Sequence, residues 1–259
     1  MNPISVFTKA LKEPVDRWAP RLRDLGLDGV ELPVRPGYQV EPERVLEDLP
    51  RVAEQLAEYG LAIHSVAGPE EPDTIAACGA VGVPILRTMA PVPPEMTYLE
   101  AEWQIIKRYR SLVPYLEEHG VCLGVQNHWN RFVSGAVATR RLVESFDPRH
   151  VGIVLDPAHC SLGGEIPDLA FDVSASHLVR VNLKNFRWTE ATSPEAPYSM
   201  WAVSCVAGRR GLTEWPRVIE QVKQHNFTGQ VCICAEWDDT DRFWSLLAED
   251  VAFARELLD

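Results

Sequence analysis

The chain has 259 residues, 46% of them hydrophobic and 24% charged, which suits one barrel-sized core or two small ones. Its net charge of −12 argues against a nucleic-acid surface, which needs a basic stripe, and against docking to anionic membranes. The six cysteines form no CxxC pair and no apolar run reaches the roughly 18 residues of a membrane span, so no disulfide framework and no membrane segment is expected.

Strand and helix signals alternate eight times along the chain. ISVF (4–7) precedes a helix over about 14–25 that stops at Gly26. DGVELP (28–33) leads to a helix over about 42–59, with Val45, Leu49, Val52 and Leu56 on one face. LAIHSV (61–66) precedes a short helix near 72–79, and VPILRTM (83–89) a long one over 97–119 ended by Gly120. VCLGVQ (121–126) precedes a helix at 135–146, and VGIVLD (151–156) a weak one at 167–175. LVRVNLK (178–184) runs into a loop and then a helix at 213–225; QVCICAE (230–236) precedes the last helix, 241–258. The longest unassigned stretch, about 185–212, carries aromatics and arginines and is expected to be a lid or substrate loop over one face.

Regular βα alternation implies parallel strands with right-handed crossovers, and eight units close a (β/α)₈ barrel. A doubly wound sheet is disfavoured because no GxGxxG follows the first strand. One domain over 1–259 is expected, since no shift in composition marks a boundary. The N-terminal MNPISVFTKAL is too short in apolar residues for a signal peptide. Cys122, Cys232 and Cys234 lie in strand runs and read as small core residues. These features suggest a reducing, cytoplasmic setting.

Several apolar runs end on polar residues at the same relative point: Gln126 and His128, Asp156 and His159, Asn182 and Lys184, and Glu236. In such a barrel the site is built at the C-terminal ends of the strands. Alternation along each strand supports this grouping. On the last strand, for example, Val231, Ile233 and Ala235 suit packing on helices, and Cys232, Cys234 and Glu236 suit the interior. The same rule turns Glu31 and His64 inward and places Val179 with the outward set, while the fourth strand stays unassigned. Trp129, Arg187 and the other tryptophans near strand ends are candidate sugar contacts.

DGVEL, QNH, DPAH, VNLKN and CAEW, with GRRGLTEW and HNFTGQ, make nearly the whole chain resemble the xylose-isomerase-like TIM barrels. That group holds sugar isomerases, ketose 3-epimerases, inosose dehydratases and endonuclease IV repair enzymes. The resemblance implies a divalent metal held at positions 126, 156, 182 and 236. Here those are Gln126, Asp156, Asn182 and Glu236, so a Glu and a His of the pattern have become amides. The Asp that closes the strand-seven motif is Asn185, while the substrate-contacting His is kept as His159. Loss of one charge about 4 Å from an ion costs roughly 4 kcal/mol at an effective dielectric near 20. Any ion held by this all-oxygen set is expected to be Mn²⁺ or Mg²⁺ rather than Zn²⁺, and weakly bound or absent.

The resemblance implies a sugar isomerase or epimerase acting on a small carbohydrate or polyol by proton abstraction. Gln126 cannot act as a base, so two-base epimerisation is weakened unless His128 or His64 stands in. One-base isomerisation or β-elimination keeps Glu236 as base, with His159 or Lys184 polarising an oxygen. Lys184 above Asp156 and Glu236 offers a metal-free alternative, and a non-catalytic sugar-binding member is the further one. A repair nuclease is excluded by the scarcity of histidine and the acidic charge. Self-association stays open.

Overall fold

The computed structural model describes residues 2–259, and among these eight parallel strands close into a barrel. In chain order the strands are β1 (Ile4–Phe7), β2 (Gly29–Pro33), β3 (Ala62–Ala67), β4 (Ile85–Met89), β5 (Cys122–Gln126), β6 (Val151–Leu155), β7 (Leu178–Leu183), β8 (Phe186–Glu190), β9 (Trp201–Cys205) and β10 (Gln230–Ile233). β1 pairs with β2 on one side and with β10 on the other, which closes the ring and leaves no barrel edge. β8 and β9 lie outside the ring as an antiparallel hairpin.

The helices are α1 (Val15–Asp24), α2 (Val45–Glu58), α3 (Pro72–Ala80), α4 (Tyr98–His119), α5 (Ala136–Val143), α6 (Pro157–Leu162), α7 (Pro167–Ser174), α8 (Trp215–Gln224) and α9 (Phe243–Leu258). α4 shows how local chemistry sets the bounds. Thr97 and Glu100 form a reciprocal capping box at its start, and Gly120 takes the left-handed conformation (φ 64°) just past its end. No helix among the described residues is long and apolar enough to cross a membrane.

The main core lies between strands and helices. Leu123 and Val125 of β5, Val181 and Leu183 of β7, and Val231 and Ile233 of β10 all join it, as alternation requires. The barrel interior is different in character: a small Phe7, Ala67 and Cys232 cluster sits inside the ring, and Glu31, Arg180 and Asn182 are fully buried.

Two bulges break the alternation. The register between β6 and β7 shifts so that Val154 faces Arg180 rather than Val179. Val179 therefore turns into the barrel, where it packs against Gly124 and Gly152: a Cβ on Gly152 would come within 2.4 Å of it. The expectation that Val179 faces the helices is corrected by this bulge. A second shift between β2 and β3 pairs Glu31 with Ser65, so Ser65 and not His64 takes the inward place beside Glu31.

The 185–212 stretch is neither slack nor irregular at its root. Asn185 clamps it: its amide donates to the carbonyls of Gly208 and Thr213 at 2.7 and 2.8 Å, and its oxygen accepts from the N–H of Phe186 and Thr213. An Asp carboxylate has no donor for those two carbonyls, which explains the amide here. The hairpin carries exposed Trp188, Tyr198, Met200 and Trp201.

Candidate active site

The site grows from the C-terminal ends of the strands inward. At its base Glu31 is completely buried and serves two arginines at once. Arg87 Nε donates to Glu31 Oε1 at 2.8 Å, and Arg180 Nη1 donates to the same oxygen and to Ser65 Oγ. Burial opposes the ionised form of Glu31, but Arg180 and Arg87 outweigh it and hold its carboxyl at about 2. Arg87 and Arg180 were not among the sequence candidates. Arg180 shares the inward parity of Asn182 and Lys184, which was the available signal; β4 has apolar and polar residues on both parities, so Arg87 had none.

Above this triad the arginines reach Asp156 through two amides. Arg87 Nη1 donates to Gln126 Oε1 at 2.6 Å, and Gln126 Nε2 donates to Asp156 Oδ2 at 2.8 Å. Arg180 Nη2 donates to Asn182 Oδ1 at 2.8 Å, and Asn182 Nδ2 donates to Asp156 Oδ2 at 3.3 Å. The other oxygen of Asp156 caps α6 by accepting from the N–H of Ala158 and His159. Asn127, another residue the sequence reading passed over, holds the backbone of Asp156 by a reciprocal pair of hydrogen bonds at 2.8 and 3.0 Å.

At the rim Glu236 lies between two ammonium groups, Lys184 at 2.6 Å and Lys9 at 2.5 Å. Burial favours its neutral form, yet the lysines prevail and push its carboxyl well below the usual range. Lys184 is correspondingly raised: burial disfavours its charge, but Glu236 and Asp156 more than compensate, so it is an ammonium at neutral pH. His159 rests against His128 (ring centroids 4.1 Å apart) and Phe186 (5.0 Å), with Nε2 at 3.7 Å from Asp156 Oδ2. Burial lowers its pKa to about 3, helped by Lys184 and His128. Its Nδ1 accepts from the N–H of Trp129 at 3.5 Å, and its Nε2 is buried with no hydrogen-bond partner.

The proposed group therefore meets at one mouth, with two exceptions. His64 lies toward the N-terminal end of the barrel: a Cβ on Gly29, the first residue of β2, would sit 2.9 Å from its ring. The bulge described above removed it from the mouth. Arg187 is exposed on β8, opposite Ser204. Trp129 stays at the rim, edge-on to Trp188 at 6.3 Å, and lines a cavity of about 360 Å³ with His159. A second cavity, of about 420 Å³, opens beside Lys9 and Glu236.

The residues at positions 126, 156, 182 and 236 do not fit a divalent ion. Both amide oxygens accept from guanidinium groups, both amide nitrogens point at Asp156, and Glu236 is saturated by lysines. An ion placed there faces Arg87, Arg180 and Lys184 at close range, and like charges in a poorly solvated interior repel strongly. Among the described residues no group of three or more His, Cys, Asp or Glu side chains is arranged to hold one.

His159 also makes a pH prediction. Its ordinary value is 6.5 and its folded value about 3, so the unfolded chain binds this proton first. Its contribution to stability is complete above pH 6.5 and declines as pH falls toward about 3. His159→Gln is expected to flatten that slope in urea titrations run across the window; an unchanged slope refutes the neutral, buried imidazole.

The xylose isomerase-like TIM barrel model matches residues 20–257. The chain belongs to this family. A xylose isomerase domain protein from Planctomyces limnophilus is similar over 99% of this chain and 97% of that one, with a TM-score of 0.75 at 18% identity. D-psicose 3-epimerase from Clostridium cellulolyticum H10 has a TM-score of 0.75 at 13% identity, covering 99% of both chains. The 3-keto-D-glucoside 4-epimerase of E. coli has a TM-score of 0.72 at 15% identity, covering 99% of this chain and 100% of that one. At these identities the likeness concerns the fold. No curated protein sequence matches the chain.

Proposed function

We propose that this family member transfers a proton at a carbon beside a carbonyl of a small carbohydrate or polyol, using side-chain cations where its relatives' pattern uses a metal. The observation that carries this reading is the Lys184–Glu236 contact at 2.6 Å, a base beside an ammonium, with Asp156 and a neutral His159 next to them. In the free site the lysines suppress the basicity of Glu236. A substrate oxygen that takes the hydrogen bond of Lys184 relieves part of that suppression.

Glu236 then removes the α-proton, and the C–H electron pair forms a C=C bond as the carbonyl electrons move onto oxygen. Lys184 stabilises the resulting enolate by charge-assisted hydrogen bonding. Passage of the α-hydroxyl proton to the enolate oxygen, with return of the carbon-bound proton from Glu236 to the former carbonyl carbon, completes an isomerisation; departure of a β-hydroxyl as water, carrying the proton that Glu236 took, completes an elimination and restores the carboxylate. Two-face epimerisation fits less well, because Gln126 has no basic atom and both ends of its amide are engaged.

The ion-pairing of Glu236 to two lysines also favours a second reading, a sugar-binding protein without turnover. One experiment separates them. The protein is incubated in D₂O with a panel of aldoses, ketoses and keto sugars, with and without EDTA, and proton NMR follows deuterium uptake. Exchange is expected on at least one substrate, unaffected by EDTA, and Glu236→Gln lowers its rate by about 10²–10⁴-fold. Loss of exchange in EDTA refutes the metal-free site, full exchange in Glu236→Gln refutes the base, and binding without exchange establishes the second reading.

A further inference from the structure

We infer that the substrate carries an anionic group, a carboxylate or phosphate, and that Arg35 and Arg87 hold it in a cleft at the ends of β2, β3 and β4. The inference rests on the barrel mouth being the substrate site, as proposed above. The cleft has a volume of about 320 Å³; its lining includes Arg35, Arg87, Thr88, Met89 and Phe132, and no carboxylate.

Both guanidinium groups pack on one ring. Arg87 lies 4.8 Å and Arg35 5.9 Å from the centre of Phe7. Arg35 makes no ion pair or side-chain hydrogen bond among the described residues, and it is only partly exposed. Arg87 spends Nε on Glu31 and Nη1 on Gln126, which leaves Nη2 for a ligand. The adjacent acid, Glu70, is occupied elsewhere: it accepts from Thr88 and pairs with Arg108 at 3.0 Å. A guanidinium fork presents parallel N–H groups that match a carboxylate or phosphate.

Charge points the same way. The chain as a whole carries −12. Around the mouth, however, Lys9, Arg35, Arg87, Arg180 and Lys184 stand against Glu31, Asp156 and Glu236, and the neighbouring Glu70 is paired with Arg108. A neutral sugar gains nothing from that excess. An anionic one is drawn in against the repulsion of the rest of the molecule, because a cleft with low-dielectric walls focuses its local field. Arg87 connects to Asp156 through Gln126, so the cleft and the barrel mouth share one hydrogen-bonded network.

Isothermal titration with inorganic phosphate, malonate and D-fructose at low ionic strength tests the inference without needing turnover. Phosphate or malonate is expected to bind, the tighter of the two naming the anion, and D-fructose to bind more weakly than either. Arg35→Ala weakens the anion by at least about tenfold, and Arg35→Lys, which keeps the charge but not the fork, gives an intermediate loss. Thermal melting of both variants is expected to stay close to the parent, since Arg35 makes no ion pair or side-chain hydrogen bond among the described residues and only a distant contact with the Phe7 ring. Anion affinity unchanged in Arg35→Ala, or D-fructose binding as tightly as the anions, overturns the inference. Glu236→Gln keeps anion binding while losing exchange. Failure of the chemistry therefore shows in that variant, and failure of the anion site shows in Arg35→Ala.

Discussion

Glu31→Gln is expected to destabilise the barrel by about 3–5 kcal/mol, the cost of removing one partner from a buried ion pair. The magnitude is large because one carboxylate neutralises two buried arginines. Arg180 is fully buried and Arg87 nearly so, and both lean on the same oxygen of Glu31. A Gln amide accepts hydrogen bonds but carries no charge, and it adds two donors where arginines already crowd. For a domain of this size the loss corresponds to a fall in Tm of about 10 °C.

The effect is pH-dependent. The carboxyl of Glu31 is held at about 2 against an ordinary 4.5, so its stabilisation is complete above pH 4.5 and lost as pH falls toward 2. The gap between parent and Glu31→Gln, read by urea denaturation, should close over that window. Adding Arg180→Met to Glu31→Gln should recover part of the loss, because the second change removes one of the stranded charges. A single variant within 1 kcal/mol of the parent contradicts this account.

Lys184→Met is expected to lower the rate of deuterium exchange by about 10²–10³-fold, the range typical for deleting one preorganised donor to a developing oxyanion. Methionine nearly matches the shape of the lysine stem, so packing over Phe186, 5.1 Å from Nζ, is largely retained. The variant should still bind the anionic probe through Arg35 and Arg87, with affinity lowered only by the loss of one cation from the local field; a loss in kcat that exceeds the loss in affinity is the signature. It also alters acid stability. Glu236 is depressed chiefly by Lys184, so its stabilisation exists above its ordinary value of 4.5 and fades as pH falls. Without Lys184 that contribution shrinks, and the parent's advantage over the variant at pH 7 should narrow at pH 3. Exchange at the parental rate in Lys184→Met excludes the ammonium from the chemistry.

The barrel was legible because its signals are local. A β-branched run, a polar stop, a glycine and an amphipathic stretch recur eight times, and each unit's bounds in the structure lie within a few residues of those read from the chain. Alternation turned Gln126, Asp156, Asn182, Lys184 and Glu236 inward, and in the structure Gln126 and Asn182 donate to Asp156 while Lys184 pairs with Glu236. The rule failed at His64 and Val179, and for one reason: each sits at a bulge, which reverses parity downstream and leaves no mark in a single sequence.

The nature of the site was less accessible. Replacement of an acid and an imidazole by Gln126 and Asn182 leads to the expectation of a weakened metal position, and Lys184 offers a substitute cation. Arg87 and Arg180, which do most to set the charge there, were missed. A solitary arginine in a strand reads as a surface residue until its partner is known, and the partner, Glu31, is 149 residues from Arg180. The sequence by itself determined the ring of eight units and which way most of its strand residues turn, because side-chain periodicity is imposed by the geometry of neighbouring residues. Only the tertiary structure decided which way each amide turns and which cations meet which carboxylates, because hydrogen-bond direction and ion pairing depend on distances across the barrel that no local pattern encodes.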